Sequence, residues 1–257
     1  DLYRLCYART PQARRSALRS RKAVLLSNTV EAITACRWEF VSSLLERSVR
    51  RRVPANGCTA AHAIVQTMRG NLPAAQLLVE ALVSTRADEE PDPDSWAVAA
   101  TAKALWSYAT GDGESMPTLP TLVQRLLTIL PAATQPVRDL LCLSLSLAAY
   151  SGHDPALASF LLGHKVSSMA SAAGSRTPGG AARAAVGFSI VALGDPATGR
   201  RILLTVSNSS DHDPIPLVNG LVDTELVRLQ AEAGDRTSAT HWLARTRRFA
   251  DRYGCDL

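Results

Sequence analysis

Aromatic residues are scarce in this chain of 257 residues, at 5% of the total. No apolar stretch reaches the roughly 18 residues that a membrane-spanning helix needs. The opening residues Asp1-Leu2-Tyr3-Arg4 lack the apolar core of a signal peptide, and the missing initiator Met suggests a fragment or a processed chain. The five cysteines, Cys6, Cys36, Cys58, Cys142 and Cys255, are odd in number, widely scattered and without a CxxC pair. That pattern argues against a disulfide framework and for thiols in a reducing cytoplasm. Asn208-Ser209-Ser210 matches a glycosylation acceptor, but nothing else points to secretion. There is no GxxxxGK[ST] phosphate loop, no GxGxxG after a strand, no HExxH and no GxSxG. No convincing period-two strand is present either. The nearest, RRILLTVSNSS at 200–210, also fits a short helix running into a loop.

What the chain does have is a recurring punctuation. In LQAEAGDRTSATHWLARTRRFADRYG, residues 229–254, an apolar-periodic run stops at Gly234-Asp235 and a second one starts. Ala239, Trp242, Leu243, Thr246, Phe249, Ala250 and Tyr253 then follow at spacings of three and four, the stripe of an amphipathic helix. Glycine suits the left-handed turn that closes a helix, and aspartate accepts backbone N–H bonds at the start of the next. The same signal stands at Gly70-Asn71, Gly111-Asp112, Gly152 with Asp154, and Gly194-Asp195, so that successive glycines lie 41, 41, 42 and 40 residues apart. In Asp154-Pro155 and Asp195-Pro196 the capping carboxylate precedes a proline suited to the first helical position. Small residues just beyond the turns, Ala75, Ala158, Gly199 and Ala239, let paired helices approach closely. Gly254 ends the last helix and leaves little to cover that end of the array, which makes self-association through an end repeat a reasonable expectation.

Aligning the helices that precede the glycines separates two faces. Positions five, nine and twelve residues before the glycine hold Val65, Trp106, Leu147, Ser189 and Leu229, then Ala61, Ala102, Leu143, Ala185 and Glu225, then Cys58, Ala99, Leu140, Ala182 and Val222. Thirteen of the fifteen are apolar or Cys, which marks the buried stripe. A second, mixed face carries His62, Gln66, Lys103, Ser107, Ser144, Arg183, Asp223 and Gln230, and it is the candidate binding surface. Trp96, at the start of its helix, is a candidate exposed anchor, whereas Trp106 falls in the core stripe.

The expected fold is therefore all-α: a right-handed superhelix of about six antiparallel helix pairs with a repeat of about 41 residues, an α-solenoid. The repeats span 15–53, 54–90, 94–131, 135–173, 179–208 and 214–254 of one domain covering 1–257. Between them lie an acidic, proline-rich loop at 85–96, in which Asp94 or Ser95 can cap the next helix, a flexible low-complexity segment at 167–182 and a longer turn at 207–217. The prolines of the first linker break any register that would converge its carboxylates on a metal. Asp211-His212-Asp213 reads better as a cap for the helix starting near Pro214 or Pro216 than as a ligand trio.

Charge is uneven: residues 1–69 hold 13 Lys/Arg against 4 Asp/Glu, and residues 70–257 hold 15 against 19. Arg14, Arg15, Arg19, Arg21 and Lys22, then Arg47, Arg50, Arg51 and Arg52, form two basic clusters. They suit either phosphate contact with nucleic acid or solvated helix ends, and no aromatic interleaving or DNA-reading motif accompanies them. The five histidines have no fixed spacing to Cys or to paired carboxylates. Neither a metal nor a cofactor is expected, and no enzymatic constellation emerges.

The turn segments AEAGDRTSATHWL, VALGDPATGRRIL and MRGNLPAAQLL resemble the tetratricopeptide-like (TPR-like) superhelix of large LuxR-type, maltose-regulator-like transcription factors from high-GC bacteria. The period is longer than the standard 34-residue tetratricopeptide repeat. The chain also lacks that repeat's Trp, Leu, Gly and Tyr spacing, as well as the nucleotide loop and helix-turn-helix of the full regulators. The resemblance implies a cytoplasmic, non-catalytic module that senses a small-molecule effector in a concave groove. Lys103 and Arg183 would meet an anionic ligand, and DNA contact would come only through domains outside this chain. The alternative is a scaffold that docks a peptide or helix from a protein partner in the same groove.

Overall fold

The computed structural model describes residues 26, 28–50, 56–84, 93–111, 119–171, 180–208 and 216–255. These form twelve helices and no strand. In chain order they are α1 (28–34), α2 (Trp38–Arg50), α3 (Asn56–Met68), α4 (Leu72–Ser84), α5 (Pro93–Thr110), α6 (Leu119–Ile129), α7 (Gln135–Ser151), α8 (Pro155–Ser171), α9 (Gly180–Ala192), α10 (Pro196–Asn208), α11 (Pro216–Glu232) and α12 (Arg236–Tyr253). Residues 200–208, the nearest approach to a strand in the sequence, are helical. The segments read as a flexible linker and a long turn are shorter than expected, because Ser167–Ser171, Gly180–Ala182, Ser207–Asn208 and Pro216–Leu217 all lie in helices.

Tight turns join most neighbours, and their chemistry is that of a left-handed helix stop. Gly70, Gly111, Gly194 and Gly234 have φ of 70°, 71°, 91° and 77°. Gly152 departs from the pattern: its φ is −83°, and the extra residue His153 takes the left-handed position at φ 52°. The first pair uses the same device without glycine, since Cys36 stands at φ 53° with Cys36 N bonded to Ile33 O and Arg37 N to Ala32 O. The Gly70 turn bonds Gly70 N to Thr67 O and Asn71 N to Gln66 O, and the Gly194 and Gly234 turns repeat the pattern. The following helices are capped as expected: Asp154, Asp195 and Asp235 accept from the backbone N–H of Leu157, Thr198 and Ser238, each at 3.0 Å. Asp94 also reaches across the structure. It is buried near the start of α5 and accepts from Thr134 N, at the head of α7, at 2.8 Å.

Packing follows the buried stripe. The first helices of successive pairs contact one another, α3 with α5, α5 with α7 and α7 with α9, while each also packs on the second helix of its own pair. Thirteen of the fifteen stripe residues are buried, Cys58 and Ala99 being half-buried. α7 is central: every residue from Leu140 to Tyr150 is buried, which suits a helix apolar on all sides. Its hydroxyls Ser144 and Ser146 bond the carbonyls of Leu140 and Cys142, so these two buried donors are satisfied. Ala75, Ala158 and Gly199 are buried at the helix crossings, and Ala239 is half-buried. At Gly199 a Cβ would lie 2.7 Å from the Gly187 carbonyl oxygen, so α9 and α10 touch backbone to backbone.

The far end of the array is covered by the chain itself. Trp38 donates from Nε1 to the Tyr253 carbonyl oxygen at 2.7 Å, and Cys255 is 1% exposed. The Cys36 thiol is held well above the usual range, first by its hydrogen bond with Cys255 and then by burial. The turn of the first described pair thus seals the end of the last helix, where the sequence pattern alone left it bare.

Candidate functional site

The polar residues expected on an open face are placed unequally. Ser107, Ser144, Asp223 and Gln230 are buried, whereas His62, Gln66, Lys103 and Arg183 are half-buried. His62 and Gln66 are engaged locally: Gln66 Nε2 lies 2.9 Å from His62 Nε2, and Asn71 Nδ2 donates to Gln66 Oε1 at 2.9 Å. Gln230 accepts from Arg200 Nη1 at 3.2 Å and links α10 to α11. Lys103 has no ion pair among the described residues, and burial pulls its pKa below the ordinary lysine range. Trp96 is half-buried and packs against the core, so it is not an exposed anchor. Trp106 is core, as its stripe position requires, but its Nε1 finds no hydrogen-bond partner among the described residues. Both basic clusters and Asp211-His212-Asp213 fall outside the described side chains.

α11 carries two polar constellations on opposite sides. Toward the stacked first helices, Glu225 is 5% exposed and accepts from Tyr108 Oη of α5 at 2.5 Å. Its other oxygen takes Arg228 Nε at 3.2 Å, and the Arg228 guanidinium lies 4.1 Å over the Tyr150 ring of α7. Burial, reinforced by the Glu225 charge, pushes the Tyr108 hydroxyl well above its usual range, so it stays protonated and donates. Tyr150 is buried, and by geometry its hydroxyl has no hydrogen-bond partner among the described residues. The sequence alignment assigned Glu225 to the apolar stripe. Its charge at a buried position was the one available signal that a polar tie crosses the core there.

Toward α12, Asp223 is buried and bonded twice, from Ser207 Oγ at 2.5 Å and from Arg245 Nε at 3.1 Å. Burial raises its pKa, and the Ser207 and Arg245 contacts oppose the rise. Above this pair an open cavity of about 620 Å³ separates α11 from α12. Asn219 and Asp223 line it from α11, and Arg245, Arg248, Phe249, Asp251, Arg252 and Tyr253 line it from α12. The Phe249 and Tyr253 rings lie 4.9 Å apart, and Phe249 fits only because residue 220 is glycine, where a Cβ would stand 2.5 Å from Phe249 Cζ. Arg245 is further fixed by lying 4.7 Å over the Trp242 ring.

Asp223 is paired with Arg245, and Glu225 with Arg228. Among the described residues no group of three or more His, Cys, Asp or Glu converges as a metal site, and no helix is long and apolar enough to cross a membrane. Compared with known proteins, the chain matches no family model, no curated protein and no solved structure.

Proposed function

We propose that this chain is a non-catalytic, TPR-like helical-repeat module that senses a small-molecule effector, as the resemblance to bacterial transcription regulators implies. The observation that carries the reading is the place of α11: it floors the cavity with Asp223 and, two residues on, ties the array to α5 and α7 through Glu225 and Arg228. A ligand that shifts α12 against Asp223 acts on the helix that holds the third and fourth pairs. Differential binding to two settings of that helix is what a sensor requires.

The six described helix pairs fall within the six expected intervals, with Pro93 one residue ahead, and this supports a repeat of about 41 residues stacked as a solenoid. The contacts of α11 with α5 and α7, and of Tyr253 with Trp38, bend that stack tightly. Glu225 and Asp223 are each pinned by two partners, which favours a binding role over proton transfer. The burial of Ser107, Ser144 and Gln230 removes much of the open polar groove that a docked peptide would need.

A thermal-shift screen of the chain against metabolites tests the reading, because a ligand bound only to the folded state raises its stability. The expected result is a shift that disappears in the Arg248→Gln/Arg252→Gln variant. A shift lost instead in Lys103→Gln or Arg183→Gln would move the site to the stacked first helices. Stabilisation by a protein fraction alone would replace the sensor with a scaffold.

A further inference from the structure

Three observations bear on what the α11–α12 cavity takes. The first is charge. Arg248 and Arg252 stand one helical turn apart on α12, line the cavity and are exposed, and neither has a hydrogen bond or ion pair among the described residues. Like charges at this spacing oppose helix formation slightly, so a bound anion relieves a cost the chain does not relieve for itself. Arg245, in contrast, is already neutralised by Asp223. Two guanidinium forks one helical turn apart on the same rim match a phosphate group, whose several oxygens accept paired N–H donors, better than a single carboxylate.

The second is the aromatic wall. Phe249 and Tyr253 line the cavity beside the arginines with their rings tilted 43° to each other; the Arg252 guanidinium lies 5.4 Å over the Tyr253 ring, and Gly220 leaves room for the Phe249 ring against α11. A flat heteroaromatic ring can stack on one such ring. Asn219, facing it from α11, carries an amide that both donates and accepts, which suits the edge of a nucleobase. The third is size. At about 620 Å³ the cavity lies in the range of small-molecule sites, with room for more than an isolated phosphate.

We infer that the cavity between α11 and α12 binds a mononucleotide, with Arg248 and Arg252 on its phosphate and the Phe249 ring beside its base. This rests on the sensor reading above and supplies its ligand class. A nucleic-acid strand fits less well: Asp251 shares the rim, so the cavity has a single net positive charge to set against successive phosphates.

The test is calorimetric titration of the full chain with AMP, adenosine and pyrophosphate, and with a single-stranded oligonucleotide. AMP is expected to bind at least about tenfold more tightly than either adenosine or pyrophosphate, because only AMP meets both halves of the site. Arg252→Gln should weaken AMP by about tenfold while leaving adenosine unchanged, and Gly220→Ala, which displaces Phe249, should weaken adenosine and AMP together. Pyrophosphate binding as tightly as AMP would overturn the nucleotide assignment. So would oligonucleotide binding more tightly per site than AMP. If no nucleotide binds but another metabolite gives a thermal shift that the Arg248→Gln/Arg252→Gln variant abolishes, the ligand class is wrong and the sensor site stands. If no small molecule of any class responds to those substitutions, both are wrong.

Discussion

Tyr108 and Tyr150 contribute to one cluster yet should respond oppositely to loss of a hydroxyl. Tyr108→Phe removes the donor to Glu225 Oε1, a 2.5 Å hydrogen bond to a carboxylate that is 5% exposed. Hydrogen bonds to charged groups contribute about 1.5–3 kcal/mol, and a buried carboxylate deprived of a donor carries a desolvation penalty in the same range. Arg228 Nε still serves the other oxygen, so the expected loss is about 2 kcal/mol rather than the upper limit. Tyr150→Phe removes a buried hydroxyl that by geometry has no hydrogen-bond partner among the described residues, so it relieves an unsatisfied polar group while keeping the ring beneath Arg228. Its expected effect lies between zero and a gain of about 1 kcal/mol. Urea unfolding of both variants, with Glu225→Gln completing a double-mutant cycle on Tyr108, gives the comparison. A coupling energy of at least about 1 kcal/mol is expected between Tyr108 and Glu225. Equal losses from the two Tyr→Phe changes, or coupling near zero, would refute the claim that this bond ties α11 to α5.

The helix crossings give a second contrast. Gly199→Ala drives a Cβ to 2.7 Å from a backbone oxygen and should cost about 1–3 kcal/mol net, whereas Gly163→Ala meets nothing within 4 Å and should stabilise by up to about 1 kcal/mol, both read from denaturant midpoints. Leu145→Ala, in the buried stretch 140–150 of α7, should cost about 2–5 kcal/mol by the same measurement, and a smaller loss would mean that the core collapses around the change. The pH dependence of Asp223 has a definite sign. Its folded pKa is raised by burial, so the folded state takes up the proton first, and stability from this group grows as pH falls through the folded value and is lost as pH rises through it. The stability of the native chain relative to Asp223→Asn should therefore increase between about pH 7 and pH 4, and a constant or falling difference would sink the argument. Asp195 and Asp235 act in the opposite sense: their folded values are lowered, by bonds to Thr198 and Ser238 respectively, so Asp235→Asn should blunt acid destabilisation.

Much of the helical architecture could be read along the chain because its determinants are local. The glycine stops, the aspartate caps and the apolar stripe each act within a turn or two. Where local chemistry varied, the reading slipped: His153 displaced Gly152 from the left-handed position, and Cys36 formed a turn that no glycine marked. The mixed face was legible as a face but not as a surface. Ser144 is buried, whereas Lys103 at the same register is half-buried.

Sequence by itself therefore determined the all-α class and the residues that enter the core, since periodicity and capping are properties of single helices. Tertiary structure alone decided which polar side chains meet. Glu225 finds Tyr108 across 117 residues, Trp38 finds Tyr253 across 215, and Asp223 and Arg245 close the floor of a cavity. Those distances in the chain carry no local signal, because they depend on how helices far apart in sequence pack together.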